Sequence, residues 1–336
     1  MEEGRTIYWD DGICTIDQTR LPGELVEIRI EDVRDLVEAI TSLRIRGAPA
    51  LGAAGGYGIA LAARRSRFDT ALELLMEMEA AGAMIKGSRP TAINLSWGVD
   101  RVLRAAAASE SAEDMRIAAL AEAEAIAEED IKVNRALGQN GARLLDDGAS
   151  VLTHCNAGRL ACVGWGTALG VIRSAVEADK RIKVYACETR PLNQGSRLTA
   201  WELSQDGIPV TLICDSAAAY LMRKKKVDAV IVGADRITRD AVFNKVGTYS
   251  HALSASAHGI PFYVAAPLST FDLYHTEDEI VVEERSGEEL SRLGDAILAP
   301  PEVSVWNPAF DATPMELVDA LITEKGVFRP PLMPPI

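Results

Sequence analysis

Apolar residues recur at three- and four-residue spacing through most of the first 145 positions, the period of an amphipathic helix. Glu31 to Ile40 puts Val33, Leu36, Val37 and Ile40 on one stripe. The stretches 68–85 and 100–128 keep the same period, the second rich in Ala, Glu and Leu. Ahead of them, Leu25 to Ile30 alternates as a strand does, and further extended pieces are expected at Ile7–Trp9 and Cys14–Ile16. The pattern predicts a helical N-terminal domain over 1–145 with a small antiparallel sheet at its start.

The rhythm changes after the turn-rich segment Leu145 to Ser150. Nearly continuous apolar runs come next, at Val151–His154, Val184–Cys187, Val210–Cys214, Ala229–Gly233 and Phe262–Ala266. Amphipathic segments of roughly 10–20 residues separate them. Short apolar strands alternating with helices predict βαβ units and a parallel sheet covered on both faces. The fold class is therefore α/β, with the parallel-sheet domain over 146–336. The Pro-rich tail, Arg329 to Ile336, reads as a loosely held terminus.

Each run gives way to polar residues. The first leads into Cys155-Asn156-Ala157-Gly158, the second into Glu188-Thr189-Arg190, the third into Asp215-Ser216 and the fourth into Asp235-Arg236. Open α/β sheets bind ligands in the crevice outside the carboxyl ends of their strands. Asp215 and Ser216 also suit a helix cap. Cys155 precedes a glycine turn and a helix expected to start near Leu160, whose dipole would favour the thiolate. Asp235 closes an apolar strand, where partial desolvation suits a carboxyl to general acid–base work, although a pair with Arg236 would also satisfy it.

Charge narrows the ligand class. Basic residues number 35 against 49 acidic ones, a formal charge of −14, which disfavours nucleic acid as a partner. An anionic ligand would need a few guanidinium groups collected in a pocket. Arg44-Ile45-Arg46-Gly47-Ala48-Pro49 and Ser88-Arg89-Pro90-Thr91 both place arginine beside a proline suited to a helix start, a phosphate-binding arrangement. No apolar run approaches the roughly 20 residues of a membrane span. The charged start, Met1 to Arg5, has no signal-peptide core, so a cytoplasmic protein is expected.

Other chemistries fit less well. Gly164, Gly166 and Gly170 depart from the dinucleotide fingerprint and read as helix–sheet packing, so no nicotinamide cofactor is expected. The five cysteines form no CxxC pair and no His-rich cluster, which argues against a structural zinc site. Cys162, Cys187 and Cys214 lie in apolar runs and read as core. Strand alternation turns His154 away from Cys155, and His251, His258 and His275 show no ligand spacing.

Taken in order, a set of segments resembles the methylthioribose-1-phosphate isomerase family. These are Arg46-Gly47-Ala48-Pro49-Ala50, Ser88-Arg89-Pro90-Thr91-Ala92-Ile93-Asn94-Leu95, Thr153-His154-Cys155-Asn156-Ala157-Gly158 and Gly166-Thr167-Ala168-Leu169-Gly170. They continue through Glu188-Thr189-Arg190-Pro191, Gln194-Gly195, Gly233-Ala234-Asp235-Arg236 and Asn244-Lys245-Val246-Gly247-Thr248-Tyr249. Pro261 to Pro267 and Trp306 to Asp311 complete the set, which spans nearly the whole chain.

The resemblance implies a homodimer with a helical N-terminal domain and a Rossmann-like C-terminal domain. It implies an aldose–ketose isomerisation in methionine salvage without a cofactor or metal, turning 5-methylthioribose 1-phosphate into 5-methylthioribulose 1-phosphate. It places catalysis on Cys155 and Asp235 and substrate contacts on Arg46, Gly47, Ala48, Arg89, Gln194, Asn244 and Lys245. One departure stands out. Many members carry an Asn-Gly-Asp turn between the positions of Asp235 and Asn244, whereas Arg236 to Phe243 is one residue shorter here. 5-Deoxyribose 1-phosphate and ribose 1,5-bisphosphate are the alternative substrates. The regulatory subunits of the eukaryotic translation-initiation exchange factor share the fold as scaffolds and need no Cys/Asp pair.

Overall fold

A computed structural model describes residues 4–335; Met1 to Glu3 and the last tail residue, Ile336, lie outside the described residues. The chain forms two compact units. The first holds the chain up to Arg135 together with Gly158–Gly166, and the second holds Ala136–Ala157 together with the chain from Thr167 onward.

The first unit opens with an antiparallel sheet of β1 (Ile7–Trp9), β2 (Ile13–Ile16) and β3 (Glu27–Ile30), with Ile7 opposite Thr15 and Ile13 opposite Ile30. Helices α1 (Val33–Thr41), α2 (Ala48–Arg65), α3 (Ala71–Ser88) and α4 (Ile93–Ala107) follow. The Asp32 carboxylate caps α1 by accepting from the Arg34 N–H, and Leu36, Ala39 and Ile40 turn inward. Helix α2 is built from small and apolar residues and is buried from Ala50 to Ala63, so it forms the axis of this unit. The periodic stretch 100–128 is two helices. Helix α4 ends at Ala107, and α5 (Ala112–Ala142) starts anew after Ser111, whose hydroxyl accepts from the Asp114 N–H. A serine cap can restart a helix inside a continuous apolar stripe.

The second unit is built on a seven-stranded sheet. Its strands are β4 (Ser150–Thr153), β5 (Lys183–Cys187), β6 (Val210–Ile213), β7 (Ala229–Val232), β10 (Phe262–Ala265), β14 (Ala320–Thr323) and β15 (Gly326–Phe328). Their spatial order is β15-β14-β10-β7-β4-β5-β6, with only β15 antiparallel. The chain thus lays β4 down first, adds β5 and β6 on one side, then crosses back to add β7, β10 and β14 on the other.

Helices α6 (Ala168–Glu177) and α7 (Ala200–Gln205) cover one face, packing Leu169, Ile172 and Leu203 against Val151, Val184 and Ile231. Helices α8 (Ala218–Arg223) and α9 (Thr248–His258) cover the other, with Met222, Ala252 and Ala255 against Leu152, Val230 and Val232. Adjacent strand residues serve opposite layers, which explains why these strands are apolar throughout.

A smaller sheet of β8 (Arg236–Ile237), β9 (Ala241–Lys245) and β13 (Phe310–Pro314) extends beyond β7, and a short hairpin joins β11 (Arg292–Leu293) to β12 (Ala296–Ile297) after α10 (Glu288–Ser291). The C-terminal tail is held better than its prolines suggest, since Met333 packs against the core under α8 and α9. Among the described residues, no helix is long and apolar enough to cross a membrane.

Three expectations are corrected. Only a single 3-10 turn, Arg159–Ala161, stands where a helix was expected near Leu160, and α6 begins at Ala168. Residues 158–166 instead pack into the first unit, where the Cys162 and Val163 carbonyls accept from Thr6. Gly164 and Gly166 therefore lie in a loop, not in a helix. Cys214 is exposed and not core, because β6 is the edge of the sheet.

Candidate active site

Strands β4 and β7 are parallel neighbours, with Val151 opposite Ala229 and Leu152 opposite Val230. The strand order reverses between them, and this switch point is where doubly wound sheets open a crevice at the carboxyl ends. Cys155 leaves β4 and Asp235 leaves β7. Neighbouring strands lie about 4.8 Å apart, so the two exits begin side by side. The loops stay together, because a Cβ on Gly233 would meet the Ala157 Cβ at 2.7 Å.

Cys155 is half-buried and has a φ of 65°, a left-handed conformation that costs a non-glycine residue about 1–3 kcal/mol. Its backbone is held at both ends. The N–H donates to the Thr189 Oγ1 at 2.8 Å, and the carbonyl accepts from the Thr199 Oγ1 at 2.6 Å. The Thr189 hydroxyl in turn donates to the Cys187 carbonyl at 3.0 Å. Asp215 accepts from the Thr189 and Arg190 N–H groups at 2.7 and 2.8 Å, so it braces the loop after β5 instead of capping α8. The next residue, Asn156, donates to Glu202 at 2.9 Å, and Glu202 is buried against Arg173 at 2.7 Å. With no helix starting at Leu160, helix-dipole stabilisation of the thiolate has no basis; backbone anchoring is what sets the thiol's position.

Asp235 is half-buried at the entrance to the β8–β9 hairpin, and its N–H donates to the Phe243 carbonyl at 2.9 Å. Arg236 pairs with Asp272 at 3.5 Å, so the arginine next in sequence is engaged elsewhere. The short segment Arg236 to Phe243 closes as a tight hairpin in which the Thr238 hydroxyl accepts from the Ala241 N–H at 3.1 Å. Strand β9 itself, not a loop, delivers Asn244 and Lys245. Both are buried: Asn244 donates to the Thr248 Oγ1 at 3.0 Å, and the Lys245 ammonium donates to the Ala309 carbonyl at 2.7 Å and lies 5.0 Å from the Phe310 ring centre. Opposite Asn244, Asp311 accepts from the Gly247 N–H at the start of α9, and burial raises its pKa to about 6. Gln194 is buried, and its Oε1 has no hydrogen-bond partner among the described residues, as suits an acceptor awaiting a ligand.

The first unit carries the other expected contacts. Helices α2 and α4 run side by side in the same direction, Gly52 against Asn94 and Gly56 against Val102. The residues at or just before their starts, Arg46-Gly47-Ala48 and Arg89, therefore sit at one end of that unit. Arg46 is buried, and its Nε donates to Gln18, which donates in turn to the Leu160 carbonyl. Gly47 has a φ of 101° and meets Ala161 so closely that a Cβ would fall 2.4 Å from its Cα. Arg44 pairs with Asp17 and Glu38 and takes no part in this arrangement.

Sequence reasoning did not anticipate the roles of Thr189, Thr199, Asp215 or the Asn156–Glu202–Arg173 chain. The His154 imidazole donates from Nε2 to the Val246 carbonyl at 2.9 Å. Burial lowers its pKa to about 4, and burial with the neighbouring His154 lowers that of His251 to about 3. At the amino ends of the strands, an open cleft of about 430 Å³ is lined by Asp146, Asp147, Asp228 and Tyr263, and its carboxylates suit a phosphate poorly.

The initiation factor 2 subunit family matches residues 44–330. A methylthioribose-1-phosphate isomerase from Heliobacterium modesticaldum is 53% identical over 98% of this chain and 96% of its own. The crystal structure of 5-methylthioribose 1-phosphate isomerase from Pyrococcus horikoshii OT3 is 42% identical, covers 98% of this chain and 94% of that one, and gives a TM-score of 0.92. That of the translation initiation factor eIF-2B, subunit delta, from A. fulgidus is 58% identical, covers 98% and 97%, and gives a TM-score of 0.90. A match of this extent in both sequence and fold makes the chain a member of the initiation factor 2 subunit family and, within it, of the group of the methylthioribose-1-phosphate isomerases.

Proposed function

We propose that this chain is an aldose–ketose isomerase that converts 5-methylthioribose 1-phosphate to 5-methylthioribulose 1-phosphate, with Cys155 and Asp235 carrying the proton transfers. The observation that carries the reading is the departure of these two residues from the neighbouring strands β4 and β7 at the switch point of the sheet. The names of the isomerase relatives support the substrate. The reading assigns substrate contacts to Arg46, Gly47, Ala48, Arg89, Gln194, Asn244 and Lys245. It places the protein in the cytoplasm as a homodimer.

The anomeric carbon of this substrate is blocked by phosphate, so the ring cannot open by loss of an anomeric hydroxyl proton. Protonation of the ring oxygen breaks its bond to carbon 1. Hydrogen leaves carbon 2 and carbon 1 gains one, either through an enol phosphate or by an internal hydride shift, and carbon 2 becomes the ketone as its hydroxyl gives up the proton that balances the one taken by the ring oxygen. Cys155 and Asp235 divide the acid and base tasks. Cationic Arg46, Arg89 and Lys245 offset the phosphate charge.

A second reading rests on the A. fulgidus structure, which bears the name of a translation initiation factor subunit. As an enzyme, the purified chain turns over 5-methylthioribose 1-phosphate unaided, in preference to 5-deoxyribose 1-phosphate and ribose 1,5-bisphosphate. Binding of these compounds without conversion would favour the regulatory subunit instead.

A further inference from the structure

Beneath the catalytic loops lies a second cluster that the isomerase chemistry does not use. Strands β4, β5 and β6 are consecutive neighbours, and each brings one donor to its carboxyl end: His154 just past β4, Cys187 as the last residue of β5 and Asp215 just past β6. Helix α9 adds His251 from the covering layer. One ligating atom from each of the four lies within 4.8 Å of all the others. The His154 Nδ1 is 3.1 Å from the His251 Nε2 and 3.8 Å from the Asp215 Oδ1. Donor atoms around a tetrahedral zinc ion stand about 3.3–3.8 Å apart, given bonds of about 2.0–2.3 Å.

We propose that His154, Cys187, Asp215 and His251 form a structural site for one zinc-type divalent cation. The surroundings orient the donors for it. A carbonyl only accepts, so the bond from the His154 Nε2 to the Val246 carbonyl leaves the Nδ1 lone pair facing the cluster. The Asp215 carboxylate is fixed by two backbone N–H groups. Without an ion, the His251 Nε2 donates its proton to that lone pair. Binding moves this proton to the other ring nitrogen, and the Cys187 thiol releases its own to solvent. One thiolate and one carboxylate then neutralise the dication, so the occupied site carries no net charge into a buried region. The ion does not touch substrate. It ties together the segments before Cys155, after Lys245 and around Thr189, which form the catalytic rim of the second unit.

The test uses the full chain, stripped with a chelator and titrated with Co2+. The proposal predicts one equivalent bound with the intense visible absorption of four-coordinate cobalt and a near-ultraviolet thiolate-to-cobalt band. Cys187→Ser removes the thiolate band, and His251→Ala weakens binding at least tenfold. Cys155→Ser and Cys214→Ser keep the full spectrum. A weak six-coordinate spectrum of the unaltered chain overturns the proposal even if the variants fail to fold. So does a thiolate band that survives Cys187→Ser or disappears with Cys155→Ser or Cys214→Ser. Isomerase activity enters none of these readouts, so the outcome is independent of the substrate assignment.

Discussion

At the scale of single residues, the strained position of Cys155 depends on two threonine hydroxyls. Thr189 is the more instructive, because it joins the Cys155 N–H to the Cys187 carbonyl and is itself held by Asp215. Thr189→Ala would leave the Cys155 N–H without its acceptor and let the thiol drift, and a displacement of about 1 Å costs on the order of 100-fold in rate. The expected outcome is kcat lowered about 10- to 100-fold with KM nearly unchanged, and recovery in Thr189→Ser. A drop in Thr189→Ser as deep as in Thr189→Ala would show that the hydroxyl is not what matters. Cys155 and Asp235 draw attention in the sequence because polar residues closing apolar runs stand out. Thr189 and Asp215 follow apolar runs as well, but their bracing role could not be read, since it is a backbone contact between loops after different strands, and nothing in either segment signals the other.

At the scale of elements, periodicity identified what burial dictates. The strands at Ile7–Trp9, Val184–Cys187 and Phe262–Ala265 were readable because every residue in them serves a packed layer or a clean alternation. Strand β13 was not, because Phe310–Pro314 pairs with β9 while most of its side chains remain only half-buried. The zinc-like donor set escaped for the same reason as Thr189: spacing rules find ligands on one element, and these four come from four.

Helix packing in the first unit gives a sharper test. A Cβ on Gly98 of α4 would sit 2.0 Å from the Gly52 carbonyl of α2, whereas one on Gly87 of α3 meets nothing within 4 Å. Gly98→Ala must force the two helix backbones apart, at a cost of about 1–3 kcal/mol or more. Gly87→Ala should be neutral or stabilise by about 0.5–1 kcal/mol. Thermal melts of the two variants decide this, and equal melting temperatures would remove the close approach of α2 and α4 from the account.

At the scale of the whole molecule, one desolvated carboxyl links stability to pH. Asp130 accepts from the Val163 N–H at 2.7 Å, and burial raises its pKa to about 7. An acid whose folded pKa exceeds its unfolded value of about 3.9 keeps its proton longer in the fold. Its contribution is therefore full below about pH 4, declines as pH rises to about 7 and stays lost above that. Asp130→Asn mimics the protonated form. Urea unfolding near pH 5 and pH 8 should show the wild type losing on the order of a few kcal/mol more than the variant over that interval. Parallel losses would mean that Asp130 ionises freely in the fold.

The change of hydrophobic period near position 145 separates helical from parallel-sheet sequence, whereas the compact units divide at Arg135–Ala136, inside α5. The return of residues 158–166 to the first unit was not readable, because a glycine-rich loop with buried Leu160, Cys162 and Val163 has the composition of a helix start. The account of function rests on Cys155 and Asp235 acting on one substrate as a unit. A double-mutant cycle in kcat on 5-methylthioribose 1-phosphate, comparing the wild type with Cys155→Ser, Asp235→Asn and the double variant, tests this most directly. Each single change should lower kcat by about 10²–10⁴, and the double should fall little further than the worse single. Near-wild-type turnover in either single variant, or losses that multiply independently, would contradict it.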